Sequence, residues 1–464
     1  MDFPNLAIEF DRDGHLHEPA IAEPKLAGFP EAGVTDLMVI AHGWNNDIAD
    51  ATQLYEAFFA SARRVLDAGQ PPPLASGQRR LAVLTVFWPS KRFTDEELIP
   101  GGGLASTAGT DENASVLRQL DHLKDAPSRL GLRTVDPVRA EILEQAKALV
   151  PRLDVSASAR REFVFLLRSI LDPAHAHPED GTDDFFTADP EDLFRSLSEP
   201  VGAIPAAAGG ADVGGGLAGG AATGGVAAGP RREAAMDGGM AGLVGDFFDG
   251  MQGAARRLLN FATYYEMKER AGVVGRGLAP VLRGIRQGRG VKIHLIGHSF
   301  GGRLVTAAAH ALPDDTTVAS VTLLQAAYSH NGLADKFDTR RDGFFRTVLT
   351  RRRVTGPICI THTRNDKAVG IAYPLAARVA RDPLASLAAL GDADDPYGGM
   401  GRNGAQHTPE LVGGDTLHLR AVGQPLRLEP GKVHNYNGDA CIRGHSDICG
   451  EPTVYLTLAA AVST

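Results

Sequence analysis

Apolar positions along this chain follow two distinct periods. Asp36–Ala41, Leu81–Phe87 and Val291–Ile296 are short and almost continuously apolar, as strands buried on both faces must be. Thr317–Leu324 alternates and then becomes continuous, Ile358–Thr363 is a short β-type run, and Lys432–Tyr436 reads as the last strand. Between them, Asp111–Leu123, Pro137–Leu153 and Ala157–Leu171 carry apolar residues three and four apart, the helical spacing, and Asp136-Pro137 supplies a helix start. Gln252–Ile285 predicts a long helix whose Phe261, Tyr264, Tyr265 and Met267 form an aromatic stripe suited to core packing. Arg303–Ala311 and Pro452–Ala461 complete the helices. Strands alternating with helices predict an α/β fold, with a mostly parallel sheet covered on both faces.

Composition narrows the class of protein. With 464 residues and 43% apolar content, the chain has ample material for a core. It has no apolar run long enough to span a bilayer, and Met1-Asp-Phe-Pro-Asn-Leu lacks the basic and apolar regions of a secretory leader. Three cysteines without metal-ligand spacing fit a reducing, cytoplasmic setting and no metal; Cys441 and Cys449 read as free thiols, with a small disulfide as the alternative. A net charge of −9 argues against nucleic acid as a partner.

The strands leave three insertions. Residues 90–250 form a helical insertion between an N-terminal core segment, 1–89, and a C-terminal one, 251–464. Within it, residues 201–230 hold 11 glycines and 10 alanines, a composition that predicts a flexible loop or a mobile lid. His175 and His177 with Glu179 and Asp180 resemble metal-ligand spacing, but the acidic, turn-rich Asp172–Pro190 reads as an exposed loop. Loop insertions 326–353 and 382–429 follow, and the arginines of the first read as a solvated face.

Chemistry concentrates where Val291–Ile296 breaks into Gly297-His298-Ser299-Phe300-Gly301 before a helix. Glycines on both sides of a serine allow the sharp strand-to-helix turn that exposes a nucleophile. An early strand also ends in His42-Gly43-Trp44-Asn45-Asn46, and the next in Phe87-Trp88-Pro89-Ser90. On these motifs the chain resembles the α/β-hydrolase superfamily, most closely a bacterial group of serine hydrolases. The resemblance implies the α/β-hydrolase fold with large insertions acting as lid or cap, no cofactor, and a Ser299, Asp366, His445 triad in that order, spaced by 67 and 79 residues. It further implies an oxyanion hole from the backbone N–H groups of Trp44 and Phe300. His434 is the alternative base; Asp335 and Asp338 are alternative acids, and Asp366 is alternatively a helix cap. The expected activity is hydrolysis of a small-molecule or lipid carboxylic ester through an acyl-enzyme on Ser299. A lipase or phospholipase with a mobile lid is one alternative, and a non-catalytic binding protein on the same fold is the other.

Overall fold

The structure, a computed structural model, describes residues 2–44, 46–90, 112–125, 137–198, 250–366, 368–369, 393–414 and 417–464. Seven strands form one sheet: β1 (Asn5–Glu9), β2 (Asp36–Ala41), β3 (Leu81–Phe87), β4 (Lys292–His298), β5 (Ser320–Leu324), β6 (Ile358–His362) and β7 (Val433–Asn437). Their order is β1-β3-β2-β4-β5-β6-β7, and every pairing is parallel. The α/β class expected from the alternating pattern is therefore present. The Gly/Ala-rich segment 201–230 and residues 382–392 of the later loop insertion lie outside the described residues.

Two-sided burial explains the uninterrupted apolar strands. Side chains alternate across a strand, so Leu37, Val39 and Ala41 of β2 face one layer while Met38 and Ile40 face the other. The first layer holds helix α8 (Phe300–Ala311) and the C-terminal half of helix α7 (Gly250–Arg289), through Leu278, Leu282, Leu304 and Val305. The second holds α2 (Ile48–Asp67) and α9 (Glu451–Val462), through Leu54, Phe58, Val454 and Leu458. Helix α2 begins at a capping box in which Asp47 and Asp50 satisfy each other's backbone N–H.

The insertion has its own core. Helices α3 (Glu112–Asp125), α4 (Pro137–Leu149), α5 (Ala157–Ser169) and α6 (Pro190–Ser198) bury Leu120, Leu143, Phe163 and Phe194 against Leu258, Leu259 and Phe261 of α7. At 40 residues, α7 is about 60 Å long, so its N-terminal half serves the insertion and its C-terminal half the sheet. The aromatic stripe behaves as core: Phe261, Tyr264, Tyr265 and Met267 are all buried. Helix α4 stops at Leu149, short of the expected Leu153, because Pro151 withholds an N–H; a 3₁₀ turn, Val150–Arg152, follows. Helix α1 (Pro19–Gly28) completes the layer beside β1.

Parallel strands share a carboxyl edge. Ala41 of β2 lies level with Val86 and Gly297, and His298 with Leu324. After β2 the chain passes to β3 on one side, then returns through the insertion to β4 on the other. That reversal makes a topological switch point beyond the carboxyl ends of β2 and β4, the place where open α/β sheets bind ligands. The segments entering it are His42-Gly43-Trp44 and Ser299.

Candidate functional site at the carboxyl edge of the sheet

Ser299 occupies the single residue between β4 and α8, with φ 55° and ψ −124°. Such backbone is costly for a residue with a Cβ and persists only where its surroundings over-determine it. Here the Ser299 N–H donates to the Leu324 carbonyl (3.1 Å), and its own carbonyl accepts from Gly302 (2.9 Å) and Ala327 (3.0 Å). The flanking glycines are required by close approach: a Cβ at Gly297 would lie 2.4 Å from the Gly301 oxygen, and one at Gly301 2.2 Å from the Ala41 oxygen. The Ser299 side chain is buried, and its hydroxyl has no hydrogen-bond partner among the described residues.

Asp366 follows β6 and His445 lies on the loop between β7 and α9. The two meet: His445 Nδ1 is 2.9 Å from Asp366 Oδ2, with both side chains buried. A carboxylate only accepts, so Nδ1 of His445 carries a proton. The other Asp366 oxygen accepts the Val369 N–H at 2.8 Å. Asp366 thus caps the following turn with one oxygen and meets the His445 ring with the other. His434 is buried within β7 and accepts the Glu429 N–H at Nε2, away from Ser299. Asp338 closes an exposed turn on Arg341, and the Asp335 N–H donates to the His407 carbonyl; neither partner belongs to the His445 loop.

The loop after β2 presses onto the elbow. A Cβ on Gly43 would stand 2.7 Å from Ser299 Cβ and 3.3 Å from its Oγ. The Gly43 carbonyl accepts from His42 Nδ1 (2.9 Å) and from Asn46 Nδ2 (3.3 Å). Because the peptide is trans and planar, pinning that carbonyl also fixes the direction of the Trp44 N–H, which points the opposite way. His42 is itself held: its Nε2 accepts the Trp88 N–H (3.3 Å), its carbonyl accepts Trp88 Nε1–H (3.0 Å), and its ring stacks on that indole. Burial pushes the His42 pKa down to about 4, so the ring is neutral and each nitrogen keeps one role. Ser90 Oγ donates to the Asn46 carbonyl at 2.9 Å. Trp88 and Ser90 therefore brace the glycine loop, a role their motif did not reveal. The Trp44 ring meets Phe300 edge-on at 6.0 Å, and Phe300 in turn meets Tyr264 at 5.5 Å.

A second Ser-His-Asp array spans the opposite edge. His294 Nε2 lies 2.9 Å from Asp36 Oδ1 and its Nδ1 2.8 Å from Ser320 Oγ, tying β2, β4 and β5 together at their amino ends. Burial raises the Asp36 pKa, but bonds from His294, Arg79 and Thr35 outweigh it and hold the group at about 2. Ser320 is 1% exposed and sits within a strand, with ordinary geometry and no neighbouring glycine loop, so the array is a cross-strand brace. A cavity of about 300 Å³ on this same edge is lined by Arg286, Lys292, Thr317 and Thr355, and none of the candidate residues reaches it.

The segment read as an exposed, metal-like loop is exposed at Asp172–Ala174 and half-buried at His175 and His177, but it buries its two acids. Glu179 and Asp180 are 1% and 3% exposed, and Lys268 Nζ donates to Asp180 Oδ2 (2.7 Å) and Thr182 Oγ1 (3.0 Å). Arg303, one turn past Ser299, donates to the Lys268 carbonyl at 2.9 Å. Burial and the neighbouring Asp180 push the Glu179 pKa up to about 7. Lys268, which pairs with Asp180, and Arg303 arrive from distant segments, which local sequence could not foretell. The arginines of 326–353 are partly ion-paired, Arg346 with Glu410 and Arg353 with Asp314. Cys359, Cys441 and Cys449 are unpaired, and no helix among the described residues is long and apolar enough to cross a membrane. Comparison with protein-family models, curated proteins and solved structures finds no match for this chain.

Proposed function

We propose that this chain is a serine hydrolase of the α/β-hydrolase type that cleaves a carboxylic ester through an acyl-enzyme on Ser299. The observation that supports the reading is a strained serine and a buried His445–Asp366 pair beyond the carboxyl ends of one sheet, with His298, the neighbour of Ser299, bonded to the His445 carbonyl. The three residues come from separate strand ends, and the hydroxyl is left unengaged by the described protein. Packing alone gives no reason to bury a serine at φ 55° beside a glycine loop.

The chemistry runs through the His445 tautomer with its proton on Nδ1. His445 Nε2 takes the proton of Ser299 Oγ as that oxygen attacks the ester carbonyl carbon, and Asp366 stabilises the imidazolium that forms. The carbonyl oxygen gains the negative charge and is stabilised by the backbone N–H groups of Trp44 and Phe300. Collapse breaks the ester C–O bond, and His445 returns its proton to the leaving alcohol. Water then repeats the sequence against the acyl-enzyme, losing a proton to His445 and releasing the acid and free Ser299. In the free enzyme the serine–histidine bond is commonly long and tightens with substrate bound. Three unpaired thiols support a reducing, cytoplasmic setting. The test is turnover of p-nitrophenyl acetate by the wild type against Ser299→Ala: loss of activity in a folded variant is expected, and equal turnover refutes the reading.

A further inference from the structure

The residue before the nucleophile does more than occupy a variable motif position. His298 Nε2 lies 2.9 Å from the His445 carbonyl oxygen, and the two rings sit 4.9 Å apart. A carbonyl only accepts, so Nε2 carries the proton. Burial, with His445 beside it, pushes the His298 pKa down to about 3, so the ring is neutral and Nδ1 is bare. Nδ1 has no partner among the described residues; it stands 3.2 Å from the place a Gly43 Cβ would take, where Ser299 Oγ is 3.3 Å away. One ring thus joins the base loop to the edge of the nucleophile's own strand.

We propose that His298 is a positioning residue: its Nε2–H fixes the main chain of His445 relative to Ser299, while Asp366 fixes the ring. The proposal rests on the serine-hydrolase reading. His445 lies on a connection, residues 438–450, that contains no strand and no helix until its end. Its ring is anchored through Asp366 to β6, and that bond sets tautomer and tilt. The anchor to β4 is separate, and it comes from the residue covalently next to Ser299. A shift of the elbow therefore carries the base with it, and the distance between them is kept. Packing alone would be satisfied by any flat or apolar side chain in this place, whereas positioning needs the N–H.

The test separates donor from bulk. His298→Leu and His298→Phe remove the N–H, the second keeping a buried ring; His298→Gln places an amide N–H at the reach of Nε2. Steady-state hydrolysis of p-nitrophenyl acetate is measured for each, with thermal unfolding as the check of folding. Misplacing reacting groups by about 1 Å costs on the order of a hundredfold. The Leu and Phe variants are expected to lose about ten- to a hundredfold in kcat with KM little changed, and Gln to stay within about threefold of wild type. Wild-type kcat in His298→Phe, or a loss in Gln as deep as in Phe, overturns the proposal while leaving the Ser299 reading intact. An inert wild type would remove both.

Discussion

Gly43 is the glycine whose added Cβ would strike the Ser299 side chain itself, and adding one methyl group there tests the arrangement quantitatively. In Gly43→Ala the new Cβ would meet Ser299 Cβ at 2.7 Å, about 0.7 Å short of the 3.4 Å at which ordinary contact begins. Neither atom can swing aside, since both are fixed directly to backbone. The loop is held by His42, Trp88 and Asn46, and the elbow by Leu324 and Ala327. Relief must come from moving the loop and the elbow apart by most of that shortfall, which carries the Trp44 N–H away from the developing charge. Losing one such donor costs about a hundred- to a thousandfold in turnover, or about 2.7–4 kcal/mol. Overpacking costs about 1–3 kcal/mol of stability, which a domain of this size survives. The expected result is a folded protein with kcat/KM for p-nitrophenyl acetate down by about two to three orders of magnitude. A folded Gly43→Ala variant with near-normal kcat/KM would refute the placement of the charge-stabilising donor on this loop.

Asp366→Asn keeps an oxygen for the Val369 N–H but loses the acceptor that sets the His445 tautomer, so kcat should fall by about a thousandfold or more with the melting temperature little changed. Ser320→Ala, in the opposite-edge array, should leave kcat/KM unaltered while lowering stability by about 1–3 kcal/mol, because His294 Nδ1 loses its partner; chemical denaturation beside the ester assay checks both. Glu179 has a folded pKa of about 7 against 4.5, so the folded chain holds the extra proton between those values and stability is lost as pH rises through that window. Its size is at most about 3 kcal/mol. Glu179→Gln, unable to titrate, should unfold with a flatter pH dependence between pH 4.5 and 7 in urea; a slope equal to the wild type's would count against the buried acid.

The strands legible in the sequence are the ones buried on both faces. Asp36–Ala41 and Leu81–Phe87 match to the residue, since strands buried on both faces are apolar along nearly their whole length. β1 escapes that pattern because it lies at the sheet edge with only Ile8 buried. The serine was legible from its glycines, whose backbone demands are local, and Asp366 and His445 from their places after strands. The supporting histidines were not. His294 reads as a strand residue and His298 as a spacer, because their partners Asp36 and His445 are 258 and 147 residues away and leave no periodic trace. Glu179 and Asp180 read as solvent-facing for the same reason, as Lys268 arrives from a helix 88 residues beyond Asp180. Periodicity reports burial against a layer, whereas a buried polar contact depends on register between distant segments.

The central claim is that Ser299 is a nucleophile activated by His445 and Asp366. Incubation of the wild-type chain with a fluorophosphonate, followed by intact mass and peptide mapping, tests it directly. One adduct per chain on Ser299 is predicted, absent in Ser299→Ala and strongly slowed in His445→Ala and Asp366→Asn. An unlabelled, folded wild type, or an adduct that persists in Ser299→Ala, would contradict it.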